Sequence, residues 1–325
     1  MRKILLAVLI FVLAAGVPSL IFITRSPALV VTDAPFTALY GTARLQRQRI
    51  FSSLSLFRPV NPVMIADGTS PDIVVAAVIE ASQKPLCVIF PRHHAPSAIR
   101  YREQFPEIPV ILLAGLNTAP DLPSPEDFLS VFYTDRKTDL YRAGLLAGII
   151  GSKGLIKDDE AETQRKAVLW AERSIQAEER ELFASGVLES APEIAALVIG
   201  SVNEMPDTGS VSCLVLAGAG ADYLEKNPKM PLILFSWLDP VFTSREFVVL
   251  FDDSPWALAV PAVQMAGKNL SAGVIPSKPL ILSERIADNC IFRTLKKAAK
   301  KRPLDLAESP GIIDKHLTFG YNLLK

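Results

Sequence analysis

Residues 86–114 read LCVIFPRHHAPSAIRYREQFPEIPVILLA. Leu86–Phe90 is a short, uninterrupted apolar run rich in Val and Ile, the pattern of a strand covered on both faces. Pro96–Phe105 is longer and mixes apolar with charged residues, which predicts a helix. Phe105–Pro106 and Ile108–Pro109 then punctuate the entry to Val110–Ala114, a second buried run. Two buried strands joined through a helix form a parallel βαβ unit, the element of a doubly wound sheet.

The same alternation extends in both directions. Upstream lie strands at Ala28–Thr32 and Val63–Ala66 and helices at Ala38–Leu56 and Ser70–Gln83. Downstream come a strand at Leu129–Tyr133 and a helix at Thr138–Ser152. Charged residues interrupt the pattern near Thr134–Asp139, and it then restarts. Strands are predicted at Ala167–Ala171, Ala196–Gly200, Val211–Ala217, Leu232–Phe235, Phe247–Phe251 and Leu280–Leu282. Helices are predicted at Ile175–Ser190, Ala221–Lys226 and Trp256–Leu270. So many strands exceed one typical sheet, and two α/β lobes account for them better. The fold class expected is therefore α/β, two doubly wound parallel-sheet lobes with hinge crossovers, preceded by an N-terminal hydrophobic helix. The expected division is 1–28 as a signal peptide or signal-anchor, 29–135 plus 253–282 as the first lobe, and 136–252 plus 283–325 as the second. Ser70-Pro71-Asp72 and Ser254-Pro255 offer hydroxyl caps with Pro in the first turn. No short-period repeat is present.

Half of the residues are apolar, enough for a sizeable core. Thirty-four basic residues balance 34 acidic ones, so the net charge is zero and nothing draws the chain to nucleic acid. The basic run Lys296, Lys297, Lys300, Lys301 and Arg302 reads as a solvated helix face. Cys87 and Cys213 sit inside apolar runs and read as core residues, and no Cys or His spacing matches a metal-ligand pattern. Arg2 and Lys3 precede an apolar stretch from Ile4 to Ile23, about the ~20 residues that cross a bilayer. A cleaved signal and an uncleaved anchor both fit, and both place the remainder outside the cytoplasm.

Signatures of catalysis are missing: there is no GxSxG, no P-loop and no HExxH. The stretch Ala217-Gly218-Ala219-Gly220-Ala221-Asp222 follows a strand but lacks the third Gly of a dinucleotide loop. Gly218 instead suits a close backbone approach to a ligand. Open α/β sheets bind ligands beyond the carboxyl ends of their strands. The residues found there are Asp33, Asp67 with Gly68 and Thr69, Arg92 with His93 and His94, Asn117, and Asp135. In the second half they are Trp237 and Asp239, then Asp252 and Asp253. Carboxylates accept hydroxyl hydrogen bonds and aromatic faces stack on rings, so this set suits a polar, hydroxyl-rich ligand. The alternative for each Asp is an N-cap on the following helix.

At these motifs the chain resembles the type 1 periplasmic binding proteins, and among them the basic membrane protein (BMP) branch of nucleoside-binding lipoproteins. The segment Phe105–Gly154, with Tyr141-Arg142-Ala143-Gly144, Ala147-Gly148 and Lys153-Gly154, carries the resemblance most specifically. Asp33-Ala34-Pro35-Phe36 with Tyr40-Gly41 is similar to an Asp–Phe–Asn…Tyr–x–Gly motif, with Thr37 in place of the Asn. Residues 231–240 (PLILFSWLDP) and 247–273 (FVVLFDDSPWALAVPAVQMAGKNLSAG) are similar to two later segments. The chain departs from the branch in its Gly-rich loop, here Ala217–Gly220, and at Glu172-Arg173, where a Gly pair is expected. The resemblance implies that Phe36 and Tyr40 stack on a base while Asp239 and Asp253 hold ribose-like hydroxyls.

The expected function is an extracytoplasmic, non-catalytic solute-binding protein of an ABC-type importer. A small-molecule ligand, nucleoside-like for preference, is expected in an inter-lobe cleft that closes by hinge motion. An ABC permease is the expected partner, with the N-terminal segment as the membrane link, no cofactor, no nucleic acid and a monomeric state. A membrane-anchored sensor working through a partner, or a sugar-binding receptor, are the alternatives. A hydrolase using Asp33 or Asp135 lacks a nucleophile–base constellation.

Overall fold

The computed structural model describes residues 22, 24–33, 37, 41–66, 68–115, 129–153, 165–171, 176–217, 231–235, 248–268, 272–281, 286 and 288–303. In chain order its elements begin with β1 (Ala28–Asp33), α1 (Thr42–Leu56), β2 (Val60–Ile65), α2 (Pro71–Ala81), β3 (Cys87–Pro91), α3 (Ala95–Gln104), β4 (Val110–Gly115) and β5 (Leu129–Thr134). They continue with α4 (Arg136–Lys153), β6 (Lys166–Trp170), α5 (Ala177–Ser190), β7 (Ala195–Ile199), β8 (Val211–Leu216), β9 (Leu232–Phe235) and β10 (Val249–Asp252). The last are α6 (Pro255–Ala266), β11 (Ala272–Ile275), β12 (Lys278–Ile281) and α7 (Asn289–Ala298). The chain divides into two compact units: Met1–Thr134 with Ser254–Ile275, and Asp135–Asp253 with Pro276–Lys325. It therefore passes between them three times.

The first unit is built on a six-stranded sheet of order β2-β1-β3-β4-β5-β11, parallel throughout. Alternate residues of β1 serve two cores. Leu29 and Val31 join Val74, Val78 and Tyr101 beneath α2 and α3. Ala28 and Val30 join Leu45, Trp256 and Leu258 beneath α1 and α6. A strand covered on both faces has no polar position to offer, which is why β1 reads as an unbroken apolar run. Ser254 caps α6 by accepting from the Ala257 amide at 3.3 Å, as its hydroxyl and the following Pro predict. Ser70 precedes α2 without a side-chain cap bond, contrary to the sequence expectation, and Pro71 alone starts that helix. β11 was not legible in the sequence, because Ala272-Gly273-Val274-Ile275 is too short and too rich in small residues to stand out as an apolar run.

The second unit repeats the order: β7-β6-β8-β9-β10-β12, with only β12 antiparallel. The sequence reading carried the first lobe to residue 282. The strand at Lys278–Ile281 instead pairs with β10 in this second sheet. Helix α4 lies at the centre of the unit, and every residue from Thr138 to Gly151 is buried. It packs on α5 at glycine contacts. A Cβ on Gly144 would stand 2.1 Å from the Phe183 carbonyl oxygen, and one on Gly186 would stand 2.2 Å from that of Tyr141. The Ala-Gly pairs of the Tyr141–Gly148 stretch are thus the close-approach face of a helix pair. Tyr141 donates to Glu189 of α5, and Lys301 reaches the same carboxylate at 2.5 Å. The two sheets make the fold a pair of doubly wound α/β units, the class expected from the sequence.

Cys87 and Cys213 are buried in β3 and β8, and Cys290 is exposed on α7. Burial pushes the Cys87 thiol up to about 12 and raises that of Cys213 as well. Among the described residues no helix is long and apolar enough to cross a membrane, and the N-terminal apolar stretch lies almost wholly outside them.

Candidate functional site

In the first unit the chain leaves β1 toward α1 on one face of the sheet and leaves β3 toward α3 on the other. β1 and β3 are neighbours, paired in parallel at Ala28↔Cys87, Leu29↔Val88 and Val30↔Ile89. Connections that depart to opposite faces leave a crevice at the carboxyl ends of the two strands, a topological switch point. Asp33 is the last residue of β1, and His93 and His94 follow β3 on the short 3-10 turn Arg92–His94.

These three side chains converge. His94 Nε2 lies 2.8 Å from Asp33 Oδ1, and His93 Nε2 contacts Oδ2 of the same carboxylate. The imidazole rings stand 4.5 Å apart at 48°. Exposure is graded across the group: 59% for the His93 side chain, 17% for Asp33 and 9% for His94. Burial works against the Asp33 charge. The hydrogen bonds and charge of the two histidines outweigh it and hold the carboxyl well below the usual carboxylate range. Thr37 donates to the Asp33 carbonyl at 3.0 Å, so the backbone just beyond β1 is tied as well. The donor atoms of Asp33, His93 and His94 all lie within 4.8 Å of one another, the grouping among the described residues that could hold a metal ion.

Two further acids open and close the first stretch of the second unit: Asp135 directly follows β5 of the first unit, and Asp253 directly follows β10. Asp135 accepts from the Thr138 amide at 3.1 Å and from its hydroxyl at 2.7 Å, which makes it the N-cap of α4. Beneath it Asp139 is fully buried and receives the Ser277 amide at 3.0 Å and the Ser277 hydroxyl at 2.5 Å. Burial pushes Asp139 up to about 8, the Ser277 hydrogen bond pulls it back, and the charge of Asp253 adds to the rise. Asp139 thus secures the segment where the chain re-enters this unit. The side-chain pattern did not reveal it, since an Asp one turn into a helix reads as an ordinary first-turn acid.

Of the residues proposed from sequence, Asp33, Asp135 and Asp253 are described. Phe36, Tyr40, Asp67, Asn117, Gly218, Trp237 and Asp239 lie outside the described residues. The structure brings Asp33 together with His93 and His94, although 60 residues separate Asp33 from His93, a distance along the chain that no local metal-ligand motif spans. The signal was present in the list of strand-end residues. It needed the adjacency of β1 and β3 to become a cluster.

No family model and no curated protein matches the chain. Solved structures resemble it over most of its length. A transcriptional activator of the comK gene from Bacillus halodurans is 13% identical, with 86% of this chain and 100% of that chain covered and a TM-score of 0.49. AraP, an arabinose binding protein from Geobacillus stearothermophilus, is 14% identical over 79% of this chain and 96% of its own, with a TM-score of 0.47. An ABC transporter solute-binding protein from Conexibacter woesei is 10% identical over 85% and 95%, with a TM-score of 0.47. At TM-scores below 0.5, none of these likenesses assigns a ligand or a partner to this chain.

Proposed function

We propose that this chain is a non-catalytic, extracytoplasmic solute-binding protein of the type 1 periplasmic binding superfamily, serving an ABC-type importer. The observation that carries the reading is the switch point of the first unit. There a carboxylate and two imidazoles stand at the carboxyl ends of β1 and β3, where doubly wound sheets take their ligands. The second unit repeats the strand order and carries Asp253 at the carboxyl end of β10. The solute class is small and polar, with a nucleoside favoured by the BMP-like motifs of the sequence. Asp33, Phe36, Tyr40, Asp67 and Asn117 are assigned to it from one stretch of chain, and Asp135, Gly218, Trp237, Asp239 and Asp253 from the other. The N-terminal apolar segment supplies export or anchoring in this reading, and the protein works as a monomer with a permease.

A thermal-shift screen against nucleosides, bases, sugars and amino acids tests it, because a ligand that binds only the folded state raises the melting temperature by about RT ln(1 + [L]/Kd). A nucleoside response supports the reading in full. A sugar response keeps the solute-binding role and moves the branch. Asp253→Ala, on the second unit, is expected to lower affinity for the responding solute at least roughly tenfold, the scale of one lost charge-assisted hydrogen bond. Silence across the whole panel, or unchanged affinity in the variant, sinks the assignment.

A further inference from the structure

We propose that Asp33, His93 and His94 form a binding site for a divalent first-row transition cation of the zinc class. The donor set is one carboxylate oxygen and two imidazole nitrogens. Imidazole suits zinc, copper, iron and nickel, whereas magnesium and calcium take oxygen donors. Both Nε2 atoms already point at the same carboxylate, one at each oxygen. Around an ion with bonds of about 2.0–2.2 Å, ligand atoms lie roughly 3–4 Å apart. The three groups already lie within 4.8 Å of one another, so small side-chain movements seat an ion in place of the shared hydrogens.

The support is local and rigid. Asp33 ends a strand whose backbone is paired on both sides, with β2 and with β3. His94 is buried at the start of α3, so its ring is held by packing. His93, by contrast, is exposed, and one carboxylate already has a partner in His94. A second imidazole turned onto the same carboxylate from the solvent side adds little to the core. It completes a three-ligand set. Three protein ligands with one open side are the arrangement of zinc sites that keep a position for water or substrate. A doubly charged ion against one carboxylate leaves net positive charge at that open position, which favours an anionic or lone-pair donor. The site belongs to the first unit alone; it shares Asp33 and the β1–β3 switch point with the solute-binding reading, but its ligand set needs no solute to be complete.

The test uses the full-length chain in mild detergent, stripped of metal with a chelator and titrated with zinc chloride by calorimetry. Saturable binding of one zinc ion per chain is expected, and cobalt(II) in its place should give the visible absorption of a low-coordinate, nitrogen-ligated ion. His93→Gln, at an exposed position where folding is not at stake, and His93→Gln combined with His94→Gln should weaken zinc binding. The double variant should lose more than about 100-fold, since even partners outside the ligand shell are worth roughly 10- to 100-fold. The melting temperature of His93→Gln without metal should match that of the unaltered chain, since its side chain is exposed. Cys290→Ser, which removes the exposed thiol, should leave zinc binding intact. Absence of saturable binding, affinity that survives the double His variant, or affinity lost with Cys290 overturns the site. Repeating the solute panel with and without zinc separates the two readings. Silence of every solute with zinc binding intact counts against the solute-binding role alone, and absence of zinc binding counts against this site alone.

Discussion

The carboxyl of Asp139 has no solvent contact, and its partner is Ser277, just after the chain re-enters the second unit. Its value rises from an ordinary 3.8 to about 8 on folding. Below about pH 4 the group is protonated in both states and its contribution is complete. As the pH climbs toward 8 the unfolded chain releases the proton while the folded one keeps it, so stability falls and the contribution is gone above about pH 8. Asp139→Asn, neutral at every pH, should flatten the decline of melting temperature between pH 5 and pH 8. An unchanged slope in that variant sinks the assignment. Ser254 gives a second expectation at this scale: Ser254→Ala removes the cap on Ala257 and should cost about 0.5–2 kcal/mol, read from denaturant midpoints. The sequence announced the Ser254 cap through the Ser-Pro pair. It was silent on Asp139, whose burial depends on a serine 138 residues away.

At the level of elements, the most specific-looking stretch of the sequence turns out to describe packing. Gly144 and Gly148 face α5, where an added Cβ would meet the Phe183 carbonyl at 2.1 Å or Ser190 Oγ at 2.2 Å. Backbone stands in the way at Gly144, so Gly144→Ala must part the two helices. The expected cost is about 1–3 kcal/mol by chemical denaturation. Gly200→Ala is the control, because its Cβ would meet nothing nearer than 4.0 Å and the midpoint should hardly move. Equal effects from the two variants would contradict the packing account. Fully buried apolar strands such as β1, β3 and β9 were legible because burial on both faces leaves an unbroken run of large apolar residues. β11 was not, because its place beside β5 is decided by pairing and not by its own four residues.

For the whole molecule, the repeated strand order and the three passages mean that neither unit is a continuous segment. The first unit is completed by Ser254–Ile275, which supplies α6 and β11. Trp256 on α6 is among the largest fully buried side chains and fills the core beneath α1. A chain ending at Asp253 should therefore lose the cooperative transition of the first unit, seen as lost near-ultraviolet dichroism. Trp256→Ala in the intact chain should cost about 3–5 kcal/mol. A cooperative first unit in the shortened chain would show that the return segment is dispensable.

The sequence by itself determined the βα alternation, the need for two sheets and the apolar character of nearly every strand, because those follow from local pattern and from how much apolar chain must be buried. It also placed Asp33 and His93–His94 at strand ends. Only the tertiary structure decided that these strands are neighbours, that Asp139 is enclosed, and that β12 closes the second sheet in the antiparallel sense. Strand order is set by long-range pairing and by the face each helix covers, and neither leaves a mark on the residues between.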